Sequence, residues 1–348
     1  MAQIDKPNLH FNTKLFTGTG SSNAVTGVGF QPDLVWIKDR VNTYSHTLTD
    51  KVRGTSRELY TNNQNAETVY SQGVTSFDSN GFTVGTDAGI NSSGDSKVSW
   101  NWKAANSSGS ANTDGGINST VSVNNTAGFS IVKYGTGTGS ATTVGHGLNA
   151  APNLIIVKPL GTVTTGGWIM GADAIDSTWN NVVNLDETSA SVNDPSFNDT
   201  APTSSVFSVG NNNTNRSGEN YIAYCFVEKK GYSKFGQYAG NGNADGTFVY
   251  TGFKPAFVLL KSLNNGGWHW RLMDNVRDNN MNDGTNNLLF PNHSSAEITN
   301  ELDIDYLSNG FKIRDARTGI NGSGWTVMYI AFAKNPIVGS NNVPATAV

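Results

Sequence analysis

Short apolar runs separated by turn residues are the dominant pattern of this 348-residue chain. The runs are about four residues long, and no segment keeps the i, i+3, i+4, i+7 spacing of an amphipathic helix for long. Residues 48–60 are the one stretch where a short helix fits. Short apolar runs between Gly, Asn, Ser and Pro are typical of strands covered on both faces. The pattern therefore predicts an all-β protein.

A proline, an apolar run and a lysine recur three times with the same spacing. The lysine follows the proline by six residues in each copy, in the pairs Pro32 and Lys38, Pro152 and Lys158, and Pro255 and Lys261. Each copy also closes on an aromatic strand, at residues 98–102, 221–226 and 327–332. The chain is therefore a tandem repeat of domain-sized units. We expect the prolines to begin equivalent core strands, which would bury Trp36, Ile156 and Leu259.

Each repeat has several short strands with turn signals between them, which is typical of an antiparallel β-sandwich. The predicted fold is three tandem sandwiches with a jelly-roll or concanavalin-A-like topology. The predicted segments are an N-terminal docking segment 1–12, repeat one 13–105, a linker 106–126, repeat two 127–230, repeat three 231–336 and a C-terminal tail 337–348. The small polar linker predicts that repeat one swings relative to the others. Repeats two and three abut and should be rigidly related.

Composition and charge narrow the classes of partner. Charged residues make up 14% of the chain, the net charge is −4 and the pI is about 5.7. Nucleic-acid binding requires clustered Lys and Arg, which the sequence lacks. It also lacks an apolar run of membrane-spanning length and a secretory signal pattern at its start. We therefore expect no nucleic acid as partner and no membrane insertion. The single Cys225 is expected to be a buried, inert thiol.

The usual catalytic and metal-binding motifs are missing from the sequence. It has no His-Glu-x-x-His, Gly-x-Ser-x-Gly, paired Cys-x-x-Cys or phosphate-loop motif. The five histidines show no ligand spacing, at His10, His46, His146, His269 and His293. Residues 241–246 resemble the start of a calcium loop, but Gly252 stands where the bidentate Glu belongs, so a polar turn is the interpretation. We expect no catalytic residue, no metal and no cofactor.

Three acids at alternate positions, Glu301, Asp303 and Asp305, form the sharpest candidate for catalysis. They resemble the acidic strand of concanavalin-A-like retaining glucanases, in which two carboxylates act as nucleophile and acid/base. Asp305 replaces the expected Glu there, and retaining enzymes hold their carboxyls about 5–5.5 Å apart. The aligned segment of repeat one has no acids. A solvated strand face is therefore the favoured interpretation, and a polysaccharide depolymerase is the alternative.

Two tryptophans are the candidate ligand contacts. Trp268 and Trp270 follow a Gly-Gly turn at positions i and i+2, which share one face of a strand. Exposed aromatic side chains at loops are suited to stacking on sugar rings. The alternative is that both tryptophans belong to the core.

Repeat one is similar to a repeat family found in tail-fibre and virion structural proteins of marine bacteriophages. The resemblance rests on four segments: 28–40, 50–54, 76–85 and 98–104. It is specific over 11–105, clear over 231–335 and degenerate over 129–229. The family supplies no catalytic residues to carry over.

The resemblance implies a non-enzymatic virion structural protein, made in the host cytoplasm and exposed on the particle surface. It would act as a tail fibre or tail-associated adhesin, with host-surface glycan as ligand. Its partners would be other tail or capsid proteins, and it would be a homo-oligomer or be present in many copies. The alternatives are a capsid or tail decoration protein without a receptor role, the depolymerase, and a secreted glycan-binding module.

Overall fold

The computed structural model describes residues 3–161, 167–210, 213–278, 286–301 and 304–337. Almost all of its regular structure is β-strand. Units one, two and three denote the three repeats predicted above. Unit one contains a short helix α1 (Ala88–Asn91) and the strands β1 (Phe11–Thr17), β2 (Asn23–Thr26), β3 (Leu34–Asp39), β4 (Thr47–Asp50), β5 (Arg57–Tyr60), β6 (Thr68–Val69), β7 (Val74–Asp78), β8 (Gly81–Val84) and β9 (Ser96–Trp102). A 3-10 turn at Pro7–Leu9 precedes β1.

Unit two and unit three repeat this order of strands. Unit two has a 3-10 turn at Pro195–Phe197 and the strands β10 (Ser110–Asn112), β11 (Ser119–Asn124), β12 (Phe129–Tyr134), β13 (Thr142–Gly145), β14 (Leu154–Pro159), β15 (Ile169–Ala172), β16 (Asn181–Asn184), β17 (Val192–Asn193), β18 (Val206–Val209) and β19 (Tyr221–Phe226). Unit three has β20 (Ser233–Ala239), β21 (Phe248–Tyr250), β22 (Phe253–Ser262), β23 (Arg271–Asp274), β24 (Asn286–Leu288), β25 (Ile298–Glu301), β26 (Ile304–Leu307), β27 (Gly310–Ile313) and β28 (Thr326–Pro336).

Each unit has a large antiparallel sheet in which the closing strand lies between the proline-initiated strand and the strand equivalent to β1, which is β12 in unit two and β20 in unit three. The orders are β1-β9-β3-β4-β5-β6, β10-β11-β12-β19-β14-β15-β16-β17 and β20-β28-β22-β23. The small sheets are β2-β8-β7, β13-β18 and β21-β27-β26, and β24 pairs with β25. The predicted all-β, antiparallel fold class is confirmed.

The apolar runs are buried on both faces because successive strand residues point to opposite sides. In β3, Val35 and Ile37 pack against the small sheet of unit one. Leu34 and Trp36 instead join an apolar cluster to which all three units contribute. The equivalent positions of β14 and β22 alternate in the same way between a unit core and this shared cluster. Trp36 and Leu259 are buried as predicted, whereas Ile156 is half-buried against the cluster.

The three units meet at this shared cluster, which we call the central core. A cavity of about 40 Å³ lies within it and is lined by side chains of all three units, among them Trp36, Trp168 and Leu259. The prediction that unit one swings freely is therefore wrong. Burying apolar surface contributes roughly 25 cal/mol per Å², so detaching one unit would expose a large apolar face to water.

Three local predictions also need correction. The expected linker contains β10 and β11, and β11 pairs with β12 along its whole length, because its Val121 and Val123 supply the apolar alternation of a strand. The N-terminal segment is packed rather than free: Ile4 is buried and its N–H donates to the Lys230 carbonyl at 3.0 Å. Residues 48–60 form β4 and β5, which pair with each other, instead of a helix. Residues 1–2 and 338–348 lie outside the described residues.

Candidate functional site

In units two and three, the repeated lysine of the proline–lysine motif joins its unit to a neighbour. Lys158 of unit two donates to the Gln64 carbonyl of unit one at 3.1 Å. Lys261 of unit three donates to the Thr188 carbonyl of unit two at 2.9 Å. Burial lowers the pKa of both ammonium groups to about 8. The motif is therefore a structural contact between units.

The third lysine, Lys38, has a related environment at the interface between unit one and unit three. It is buried, and its ammonium donates to the carbonyls of Asp39 at 2.7 Å and Asn42 at 3.1 Å. Burial lowers its pKa to about 8, and Asp39 and then Glu297 of unit three oppose that shift. The lysine is thus held by its own loop and attracted by an acid of the neighbouring unit.

Three equivalent backbone hydrogen bonds join the units into a closed ring. Each runs from the N–H of one unit to a carbonyl two residues beyond the repeated lysine of the next unit. The pairs are Glu67 to Leu160 at 3.0 Å, Ser191 to Leu263 at 2.8 Å and Glu297 to Arg40 at 2.9 Å. They connect unit one to two, two to three and three back to one. The ring therefore has approximate threefold symmetry within a single chain.

A ring N–H directly before the strand that follows the proline-initiated strand makes a second repeated contact. Trp168 Nε1 donates to the Tyr60 carbonyl at 2.8 Å, and Trp270 Nε1 donates to the Asn184 carbonyl at 2.9 Å. Trp270 is completely buried. The predicted role of Trp270 as a ligand contact is therefore wrong, because its indole belongs to the interface between units two and three.

His46 occupies the equivalent position of unit one. Its Nδ1 accepts a hydrogen bond from Trp36 Nε1 at 3.2 Å. Its Nε2 has no partner of normal hydrogen-bond geometry in the described chain, although the Phe290 carbonyl of unit three lies close enough to favour the charged ring. Burial outweighs that effect and lowers the pKa of His46 well below its usual value.

Trp268, the other predicted contact, lies in the loop before β23 rather than in a strand. Its side chain is half-buried and its ring centroid lies 5.8 Å from that of Trp325. Its ring also packs against Gly319, where an added Cβ would come within 2.9 Å of it. Much of the indole surface is therefore covered by unit three itself.

Two of the three interfaces contain a buried carboxylate–guanidinium pair. Asp50 contacts Arg53 at 2.5 Å and accepts a hydrogen bond from Tyr224 of unit two at 2.8 Å. Asp274 occupies the equivalent position of unit three. Its carboxylate contacts the Arg277 guanidinium at 2.6 Å and accepts a hydrogen bond from Trp100 Nε1 of unit one at 3.0 Å.

The third interface, between units two and three, replaces this polar group with apolar residues. Strand pairing aligns Ala172 with the two aspartates, and Ile175 follows three residues later in place of arginine. Ile330 of unit three stands where the other interfaces have Tyr224 and Trp100. All three apolar side chains belong to the central core. The interface between units two and three therefore differs from the other two in all three positions: the aspartate, the arginine and the aromatic hydrogen-bond donor are each replaced by an apolar residue.

Asp305, the one acid of this set whose side chain the structure describes, does not lie on the predicted solvated face. Asp305 is buried in β26, and its Oδ2 lies 2.5 Å from Arg314 Nε. Glu301 ends β25, and Asp303 lies outside the described residues. Asp305 is buried because its strand pairs with β27, and Arg314 directly follows β27.

Residues 241–246 form a polar turn. Asn241 Oδ1 accepts the Asn243 N–H at 3.0 Å, and Asn243 Oδ1 accepts the Asp245 N–H at 2.9 Å. Asp245 pairs with Lys312 at 2.9 Å. These oxygens are already used by the turn. Nowhere in the described ranges do three His, Cys, Asp or Glu side chains group as metal ligands.

A repeated asparagine was missed in the sequence. Asn91, Asn215 and Asn321 are fully buried, and each Oδ1 accepts a backbone N–H of the glycine-rich turn after the first strand of its unit, at 2.8–3.0 Å. The sequence signal was available: in each unit Ile-Asn or Thr-Asn is followed by one residue and then by Ser-Gly. These residues hold turns in place.

The best candidate for ligand binding is a surface groove of about 610 Å³ in unit three. It is lined by residues 250–252, by Gln3 and Ile337, and by residues 228–231, 233 and 234 of the segment that joins units two and three. The Tyr250 side chain is 59% exposed, and its ring lies beside Gly252. Phe248, two residues earlier on the same face of β21, is 43% exposed. An exposed aromatic pair on an edge strand needs an explanation, because such surface usually contacts something.

The other two units lack these aromatic residues. Pairing with the small sheets aligns Phe248 with Ala24 and Thr143. It aligns Tyr250 with Thr26 and Gly145, while the valine between them is buried in all three units. The scaffold therefore does not require an aromatic side chain at either position.

Lysines surround the same groove. Lys229, Lys230 and Lys234 line it together with Glu228. Lys234 pairs with Glu228 at 2.7 Å, and the other oxygen of Glu228 accepts the Phe235 N–H at 2.8 Å. Burial lowers the pKa of Lys229. The groove therefore has three lysines and one acid, and that acid already contacts Lys234 and a backbone N–H.

Comparison with known families assigns the chain to one family. The chain belongs to the family described as a domain of unknown function, DUF7483, whose model matches residues 6–336. That single match covers all three units, in agreement with one closed ring. No curated protein and no solved structure matches the chain significantly. None of the helices in the described ranges has the length and apolar character needed to cross a bilayer.

Proposed function

We propose that this protein is a structural component of a bacteriophage particle, a tail fibre or tail-associated adhesin that attaches to glycan on the host surface. The proposed binding site is the groove beside Tyr250. The observation that carries the proposal is the exposed pair Phe248 and Tyr250, which occurs in one unit of three. Flat aromatic faces next to a groove are suited to stacking on sugar rings.

The buried charged groups also support a binding role over a catalytic one. The carboxylates of Asp50, Asp274 and Asp305 each contact an arginine, so they serve packing. The resemblance of repeat one to marine phage proteins supplies the proposed location on the virion.

Decoration of the capsid or tail is the second candidate function. It is favoured by the closed ring, because a body with approximate threefold symmetry matches a threefold position of a particle. Electron microscopy of intact particles labelled with antibody against this chain separates the two. Label confined to the tail supports the adhesin, and label spread over the capsid supports decoration.

Glycan binding is tested by comparing two tyrosine variants. Tyr250→Ala removes the exposed ring of the groove, and Tyr70→Ala removes a similarly exposed tyrosine of unit one, 42% accessible. Binding to immobilised bacterial surface polysaccharides should fall roughly tenfold or more in Tyr250→Ala, which corresponds to the loss of about 1.4 kcal/mol. Tyr70→Ala should bind as the wild type does. Equal binding by all three proteins would refute the groove as the site.

A further inference from the structure

The charge around the groove differs from that of the rest of the chain. The whole protein carries a net charge of −4 with only 14% charged residues. The groove, by contrast, has three lysines against the single Glu228. Glu228 is paired with Lys234, and it also accepts a backbone N–H. Two cations, Lys229 and Lys230, therefore face the groove with no acidic partner in the described chain.

This lysine pair is specific to the junction of units two and three. The backbone contacts that close each unit align Lys229 with Ala105 of unit one and Asn335 of unit three. They align Lys230 with Asn106 and Pro336. The cations thus occur in the same groove as the unmatched Tyr250, and at neither equivalent junction. Two independent departures from the repeat coincide at one place.

We infer that this groove binds an acidic saccharide, with its sugar ring against Tyr250 and its carboxylate, sulfate or phosphate group near Lys229 and Lys230. The inference rests on the proposed glycan-binding function and adds the chemical class of the glycan. A negatively charged group gains charge-assisted hydrogen bonds from ammonium groups. Partial burial of Lys229 strengthens that attraction, because less water screens it.

A single-stranded nucleic acid would also combine aromatic stacking with cations, but the surface fits it less well. Such strands need a cationic path that follows several phosphates and successive aromatic platforms. Here one strongly exposed ring lines the groove, and the cations are confined to residues 229–234. The favoured ligand is therefore a short acidic stretch of polysaccharide.

The test measures binding of an oligogalacturonate, a neutral cello-oligosaccharide of equal length and an oligothymidylate to the full chain. The variants are Lys229→Gln/Lys230→Gln, Tyr250→Ala and the control Lys133→Gln, which changes an exposed lysine in β12. Circular dichroism confirms that each variant is folded. We expect the wild type to prefer the acidic oligosaccharide and to lose that preference as salt is added.

The double lysine variant should lose roughly three- to tenfold in affinity for oligogalacturonate, since exposed ionic contacts are each weak. Its affinity for the neutral oligosaccharide should not change, and Lys133→Gln should match the wild type. Equal affinity for acidic and neutral sugars in the wild type would overturn this inference while leaving glycan binding intact. Binding of no sugar would overturn both proposals. Tighter binding of oligothymidylate, lost in Tyr250→Ala, would replace the saccharide with nucleic acid.

Discussion

The inward face of the ring and its outer edge strands differ in how closely the three units repeat one another. Inside, an equivalent backbone hydrogen bond closes all three interfaces, and at two of them a lysine and an indole N–H also donate to carbonyls of the neighbouring unit. Outside, Phe248 and Tyr250 have small or polar counterparts in the other units. The contacts that recur at the interfaces therefore serve folding, whereas the exposed aromatic pair that occurs in one unit is the candidate for ligand binding.

The three interfaces also differ among themselves in an informative way. Two use an aspartate, an arginine and an aromatic donor, and the third uses Ala172, Ile175 and Ile330. A buried ion pair contributes little when a well-packed apolar group can replace it, but removing one partner alone leaves an uncompensated charge. Replacing the aspartate, the arginine and the aromatic donor together avoids leaving one buried charge without its partner.

The largest expected effect follows from breaking one ion pair. Asp274→Ala leaves the Trp100 N–H without its acceptor, and it leaves the buried Arg277 guanidinium with Glu297 as its remaining carboxylate partner. We expect the free energy of unfolding to fall by about 3–5 kcal/mol, measured by denaturant titration.

The double variant Asp274→Ala/Arg277→Ile reproduces the pair found in unit two and is the matched control. It should be more stable than Asp274→Ala, because the buried guanidinium that lost its Asp274 partner is gone, while Glu297 keeps its ion pair with Arg40. A double variant as unstable as the single one would contradict the idea that the polar and apolar interfaces are interchangeable solutions.

A smaller effect is expected from the two neighbouring tryptophans. Trp270→Phe removes the donor to the Asn184 carbonyl in a fully buried position, which should cost about 1–3 kcal/mol. Trp268→Phe changes a half-buried side chain and should stay within about 0.5 kcal/mol of the wild type. Thermal unfolding of the two variants measures the difference. Equal losses would show that Trp268 is as much a part of the interface as Trp270.

Glu58 predicts a pH dependence outside the ring contacts. Burial, and then the nearby Asp87, raise the pKa of Glu58 to about 7. It accepts a hydrogen bond from Tyr60 at 2.9 Å but forms no ion pair among the described residues. The folded state therefore holds a proton that the unfolded state releases near pH 4.5, so this group lowers stability as pH rises from about 4.5 to 7.

Glu58→Gln should remove this dependence and stabilise the protein at pH 8 by about 1–2 kcal/mol. Urea titrations of wild type and variant at pH 5 and pH 8 measure the effect. A stability difference that is the same at both pH values would show that Glu58 is ionised throughout.

The smallest effect on stability is expected at the groove. Tyr250→Ala should change the melting temperature little, because a mostly exposed side chain contributes within about 0.5 kcal/mol. A large loss of stability would place Tyr250 among the structural residues and weaken its assignment to ligand binding.

Local pattern was enough to predict the β class, the repeat and the equivalent core strands. The role of Lys158 and Lys261 was not predictable, because their partners lie about 70–90 residues away and sequence alone does not show which loops meet. The linker prediction failed for a related reason. Residues 110–112 and 119–124 look too small to pack, yet backbone pairing with β12 needs no large side chain.

The candidate site shows the same limit. Trp268 and Trp270 carry the stronger aromatic signal in the sequence, and one of them is core. Tyr250 carries a weaker signal in the sequence. The pairing of β21 with β27 aligns it with Thr26 and Gly145, which shows that the other two units have no aromatic residue at this position. Repeat alignment of edge strands, rather than aromatic content, would have been the better guide.

The central claim is that three sequence repeats form one closed ring with a shared core. Hydrogen exchange measured by mass spectrometry on wild type and Leu259→Ala tests it most directly, because Leu259 of unit three belongs to the central core. Loss of the buried side chain should cost about 2–5 kcal/mol. The account predicts that the most protected amides of all three units lose the same amount of protection. Loss confined to unit three, with units one and two unchanged, would contradict it.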